Sequence, residues 1–131
     1  MNEVNLFRYG DFEGELDRTD YVQLEAFENG LEAFQKATEE IQGVEKESEI
    51  WRAIVDAITE DIFIPLFGED CLEQIFGRRL TSGMATLEAF IALLENAVNN
   101  QFMTLDRMGE MQKRIASISG NRQTRRVTPK R

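Results

Sequence analysis

The chain reads as a mainly α-helical domain with a small N-terminal β-hairpin, a four-helix body ending in a long C-terminal helix, and a disordered basic tail. Three observations predict this. Apolar residues recur at spacings of three and four over two stretches, 24–41 and 87–115. The stretch Ile50 to Gly77 is dense in isoleucine and phenylalanine and holds the only tryptophan, Trp51, and the only cysteine, Cys71, which marks it as core. Strand-like alternation is confined to the N-terminus. The 131 residues, 42% hydrophobic and 30% charged, suit one folded domain with a core of ordinary size.

The hairpin is expected over about residues 3–17, because Val4 to Tyr9 and Phe12 to Leu16 flank Gly10-Asp11, a pair suited to a two-residue type II′ turn. That register gathers Phe7, Tyr9, Phe12 and Leu16 on one face. A three-residue loop would gather Val4, Leu6, Phe12 and Leu16 instead, and the residues alone leave both open. An isolated hairpin is marginal, so its apolar face must rest on a helix or on another subunit.

Thr19 or Asp20 can cap a helix running to about Ile41, with a stripe of Leu24, Phe27, Leu31, Phe34 and Ile41. Ser48 can cap the next helix, whose Ile50, Trp51, Ile54, Val55, Ile58 and Ile62 cover an arc wide enough to make it central. That helix is expected to end or kink near Ile64, because Pro65 lacks a donor and disfavours helical geometry before it. A short helix, 70–76, lies between two similar phrases, Leu66-Phe67-Gly68 and Ile75-Phe76-Gly77, whose glycines predict two corners. Thr81 or Ser82 can then cap a helix over 84–118. Leu87, Ile91, Leu94, Val98, Leu105, Met108 and Ile115 keep a heptad rhythm along it, with Gln101 and Gln112 in the skipped places. At about 1.5 Å per residue this is a rod of about 50 Å. Such a rod outruns a body of this size, so Leu105, Met108 and Ile115 are expected to be partly exposed on a projecting half. Residues 1–118 form the domain, and 119–131 a basic tail without fixed structure.

The net charge of −9 is unevenly spread. All 24 acidic residues lie at or before Glu110, against eight basic ones there, whereas Lys113 onward carries seven basic residues and no acid. An acidic body repels nucleic acid and anionic membranes, and the tail cations Arg122, Arg125, Arg126, Lys130 and Arg131 can attract them or fold back. The tail lacks interleaved aromatics, so nucleic-acid recognition is not expected. No apolar run approaches the roughly 18 residues of a membrane span, and the N-terminus lacks the pattern of a signal peptide, which points to the cytoplasm.

The chain has no histidine, no glycine-rich phosphate loop, no nucleophile elbow and no paired-cysteine metal site, so neither catalysis nor a cofactor is expected. Asp56 and Glu60, one turn apart, could contribute to a cation site, but they read more simply as a solvated helix face, and no metal is assigned. Cys71, in an apolar context without a base to activate it, reads as a small buried hydrophobe. Met84, Met103, Met108 and Met111 all fall in the last long helix, where methionine serves packing or an adaptable interface.

A hairpin entering the acidic helix YVQLEAFENGLEAFQKATEEI (Tyr21 to Ile41), then a helix, the doubled LFGEDCLEQIFG (Leu66 to Gly77), a last helix and the closing NRQTRR (Asn121 to Arg126) together span most of the chain. This order resembles the small tail assembly chaperones of long-tailed, siphovirus-type bacteriophages and prophages. The resemblance implies a non-catalytic protein of the host cytoplasm that binds the helical tape measure protein and keeps it soluble until tail tube protein polymerises around it. It also implies absence from the mature virion and, in many members, a longer frameshifted product. The expected partner face is the pair of stripes Leu24, Phe27, Leu31, Phe34 and Leu105, Met108, Ile115. Tail tube protein is a further candidate partner, and self-association is open. Two other classes fit the residues: a small structural tail or head-tail joining protein whose hairpin adds a strand to a neighbour, and a regulatory adaptor whose basic tail binds nucleic acid.

Overall fold

Gly10 and Asp11 form a two-residue turn between β1 (Val4–Tyr9) and β2 (Phe12–Asp17), which pair antiparallel with Tyr9 opposite Phe12 and Arg8 opposite Glu13. Gly10 takes a φ of +59°, as the first central residue of a type II′ turn requires. This is the first of the two registers open to the sequence. It buries Phe7, Phe12 and Leu16 and leaves Leu6 exposed on the other face. The computed structural model describes the backbone of residues 4–127 and the side chains of residues 5–118.

A two-stranded sheet has two edges, and both meet side-chain amides. Gln23 spans the outer edge of β2, where its Nε2 donates to the Glu15 carbonyl at 2.9 Å and its Oε1 accepts from the Asp17 N–H at 2.7 Å. Asn96 donates from Nδ2 to the Leu6 carbonyl of β1 at 3.1 Å. These side chains occupy backbone groups that a neighbouring strand would need.

α1 (Tyr21–Glu40) starts at Asp20, whose carboxylate accepts from the N–H groups of Val22 and Gln23 at 2.9 and 3.4 Å. Its stripe faces inward, with Phe27, Leu31 and Phe34 buried. α2 (Glu47–Ile58) begins after Lys46 rather than at Ser48, with no side-chain cap, and Glu47 and Glu49 complement its N-terminal dipole.

α2 does not stop at Ile64. It passes through a π-helical segment, Thr59–Phe63, into α3 (Ile64–Phe67), and the Ile64 N–H bonds to the Thr59 carbonyl five residues back. Pro65 has no N–H to offer the carbonyl of Asp61, and the wider π turn is one arrangement in which a helix carries a proline without breaking. The Asp61 carbonyl lies against α1 at Gly30, where a Cβ would come within 2.6 Å of the oxygen and 2.8 Å of Ile62 Cγ1. Helix α1 can approach the π segment this closely only because residue 30 has no side chain.

The corners expected at the doubled phrase are present. Gly68 and Gly77 both have positive φ, +91° and +53°, on either side of α4 (Cys71–Phe76). Above α3 and α4, the hairpin rests on an aromatic cluster. Phe7 stacks on Phe67 at 5.7 Å, Phe12 meets Phe67 edge-on at 5.1 Å, and Phe63 meets Phe76 edge-on at 5.9 Å. Trp51, expected in the core, is only half-buried: it lies against Gly83 at the start of α5, and its Nε1 donates to Glu47 at 3.3 Å.

The largest departure from the sequence reading is in the expected rod. Ser82 caps α5 (Gly83–Asn99) through the Ala85 N–H, but that helix ends at Asn100, and α6 (Leu105–Val127) runs back beside it. The break is a Schellman closure, in which the Phe102 N–H bonds to the Ala97 carbonyl at 2.7 Å and the Gln101 N–H to the Val98 carbonyl at 3.1 Å. Gln101 takes the left-handed position with φ +62°, where glycine is usual. Thr104 then caps α6, accepting from the Arg107 N–H at 3.2 Å. Folding back places Met108, Met111, Ile115 and Ile118 in the core, so Met108 and Ile115 are not on a projecting half. Of the three residues expected to be exposed there, only Leu105 is, at 75%. The backbone of α6 follows a helical path past Ser119 to Val127, and the side chains of the basic tail lie outside the described residues.

Candidate functional site

α1 and the α5–α6 turn enclose an open groove of about 610 Å³. Its floor is apolar. Phe27 and Leu31 come from the stripe of α1, Phe102 from the turn, and the Phe27 and Phe102 rings meet edge-on at 5.3 Å. Half-buried Met103 offers a flexible thioether chain beside them. One wall is acidic, because Glu28 and Glu32 stand one helical turn apart on the exposed side of α1. The other wall has Gln101, Thr104 and Arg107. Arg107 is held in place by Glu110 at 2.6 Å and reaches the Gln35 side chain at 3.5 Å.

This arrangement sets two carboxylates, a hydroxyl, an amide and a guanidinium around an apolar floor. It can receive apolar side chains in its floor and cations along its acidic wall, as an amphipathic helix would present them. The volume is within the range of about 300–1,000 Å³ typical of ligand pockets.

Further along the same pair of helices lies a polar depression of about 280 Å³. Here Arg114 joins α6 to α1: its Nη1 donates to Thr38 Oγ1 at 3.0 Å and to the Gln35 carbonyl at 3.4 Å, and its Nη2 is 3.5 Å from Glu39. The Arg114 guanidinium on its lining is thus engaged in contacts between the two helices.

Of the expected partner residues, Phe27 and Leu31 reach the groove floor, although each is almost wholly covered by its own neighbours. Leu24 is half-buried against the core. Phe34 lies deep, with its ring 4.7 Å from that of Phe90, and Met108 and Ile115 are also buried, so these three cannot form a free docking face. The physical reason is that α1, α5 and α6 of the same chain bury these side chains against one another. Arg122, Arg125, Arg126, Lys130 and Arg131 fall outside the described side chains. The sequence reading missed Gln101, Phe102 and Arg107, which came from the unseen turn. The available signal was Thr104 followed by Asp106, a cap with an acid in the first turn.

Asp56 and Glu60 are exposed, and among the described residues no group of three or more Cys, Asp or Glu could hold a metal ion. Cys71 is buried, with its thiol 3.8 Å from the Phe63 carbonyl. Burial, and secondarily the charge of Asp70, push its pKa up to about 11. Such a thiol is not poised as a nucleophile. Among the described residues no helix is long and apolar enough to cross a membrane.

Comparison with curated proteins and with solved structures gives no match. A family of unknown function, DUF6673, matches residues 10–129, and with nearly its whole length covered the chain belongs to that family.

Proposed function

We propose that the chain is a non-catalytic tail assembly chaperone of long-tailed bacteriophages or prophages. In this reading it binds tape measure protein in the host cytoplasm and keeps it soluble during tail assembly. The order of sequence features that resembles such chaperones motivates the reading. The observation that carries it is the groove between α1 and the α5–α6 turn, with an apolar floor at Phe27, Leu31, Phe102 and Met103 and an acidic wall at Glu28 and Glu32. A long helical client exposes apolar stripes that aggregate when unpaired. A groove of this chemistry takes one such stripe where lysine or arginine flanks it, and the net charge of −9 keeps the loaded complex in solution.

The test is co-expression with a tape measure fragment from the same phage or prophage. The wild-type chain is expected to hold the fragment in the soluble fraction and to co-purify with it. Met103→Glu, and separately Glu28→Lys with Glu32→Lys, should lose the fragment while the melting temperature of the free protein stays close to wild type. A fragment that stays insoluble with the wild-type chain, or that is held equally well by both variants, would overturn the reading.

A further inference from the structure

We propose that two copies of this chain associate by exchanging α6. The turn 100–104 straightens, α5 and α6 merge into one continuous helix, and the α6 of each copy packs on α1 and α5 of its partner. This rests on the hinge and not on the chaperone reading.

Three observations carry it. The hinge is under local strain, because Gln101 holds φ +62° in a place that favours glycine. In a continuous helix the same residue has ordinary geometry and a good helix propensity. Next, no glycine or proline between Gly83 and Gly109 enforces a break, and the cap at Thr104 is the one local feature that favours it. The apolar rhythm runs through the turn in unchanged phase, with Ile91, Val98 and Leu105 seven apart. Finally, those three residues are underused in the folded-back form. Ile91 and Val98 are half-buried on α5, and Leu105 is 75% exposed.

In the continuous helix they line up about 10.5 Å apart along one face and form a seam. Two such helices crossing antiparallel would cover each other's seam, including Leu105. The occupant is a second copy, whose own straightened helix presents the same stripe of Ile91, Val98 and Leu105. Met108, Met111, Ile115, Ile118 and the bonds of Arg114 to Thr38 and Gln35 are regained unchanged on the partner. The balance between the forms is then set by the hinge, the Phe102–Phe27 contact that the straightened turn gives up, the new seam and the entropy of association. Strained short hinges are where such exchange occurs.

The full chain is refolded from denaturant at high concentration and its mass measured by light scattering after size exclusion. The wild type should show a dimer. Gln101→Gly relaxes the folded-back turn and weakens the continuous helix in both copies, so it should raise the dimer dissociation constant by about a hundredfold or more. Gln101→Ala should leave the dimer as tight or tighter. Leu105→Glu should abolish the dimer with little change in monomer melting temperature, because that side chain is exposed when α6 is folded back. In a dimer mixed from isotope-labelled and unlabelled copies, methyl protons of Met111 and Ile115 should give inter-chain NOEs to α1. A wild type that stays monomeric at every concentration, a dimer unaffected by Gln101→Gly, or NOEs confined within one chain would overturn the exchange.

Discussion

Gly30 and Pro65 are far apart in sequence, and each makes sense only beside the other. Pro65 leaves the Asp61 carbonyl without its α-helical donor, the helix widens into a π turn, and α1 approaches that carbonyl at a residue without a side chain. Alanine is the better helix former by about 1 kcal/mol in an isolated helix. At residue 30, however, its methyl would overlap the Asp61 oxygen and Ile62. Gly30→Ala should therefore destabilise the protein by about 1–3 kcal/mol in a urea titration, the usual cost of overpacking a core. A gain in stability would mean that the two helices are not so close. Cys71 makes a prediction in pH. Its folded pKa, raised to about 11 from an ordinary 9.0, means that folding favours the neutral thiol. The resulting stabilisation is whole below about pH 9 and is lost as pH rises through about 11. Below that window the thiol of the folded protein should resist labelling by a disulfide reagent and react only as denaturant unfolds it. Rapid labelling of native protein at pH 8 would contradict the burial.

At the scale of elements, the hairpin shows how helices can seal a small sheet. Gln23 supplies an acceptor and a donor to alternate groups on the edge of β2, at the positions where another strand would pair. Gln23→Ala should cost about 1 kcal/mol, the net worth of hydrogen bonds at a partly exposed site. It should also speed hydrogen exchange at the Asp17 amide without speeding it in α1. Unchanged protection of that amide would mean that the edge is held by something else. An opened edge also invites strand pairing between copies, so the variant is expected to aggregate more readily than wild type. The turn between α5 and α6 illustrates the opposite case. There the closure is made by two backbone bonds and a residue in a conformation that its side chain disfavours.

Across the whole molecule, the return of α6 turns a stripe that would have projected into a wall of the core. Two substitutions separate these arrangements. Met111 is fully buried, and Met111→Ala should cost about 2–5 kcal/mol, as for other large buried side chains. Leu105 is 75% exposed, and Leu105→Ser should stay within about 0.5 kcal/mol of wild type for the monomer in urea titration. Equal and small effects at both would restore the straight rod. The same fold-back creates the groove, because Gln101, Phe102 and Met103 reach Phe27 and Leu31 only when the chain reverses at residue 100. The acidic wall of Glu28 and Glu32 belongs to α1 alone.

The elements were largely legible in the sequence. The corners at Gly68 and Gly77 rest on local backbone chemistry, which a few neighbouring residues express, and the same chemistry narrowed the hairpin to two registers and the caps to Thr19 or Asp20 and to Thr81 or Ser82. The inward face of α1 was legible as a stripe, since period alone reveals which residues share a face. Period cannot say what covers that face. Whether Phe27, Leu31, Met108 and Ile115 met a partner or their own chain depended on a reversal at Gln101, a residue with no sequence mark of a break. Likewise, Pro65 signalled an end or a kink in its helix, which instead continues through a π turn, and Trp51 read as core but sits half-exposed against Gly83. At Gln101 and Pro65 a local preference of about 1 to 3 kcal/mol was outweighed by burial of whole side chains, and burial is a property of the assembled core that no single stretch contains.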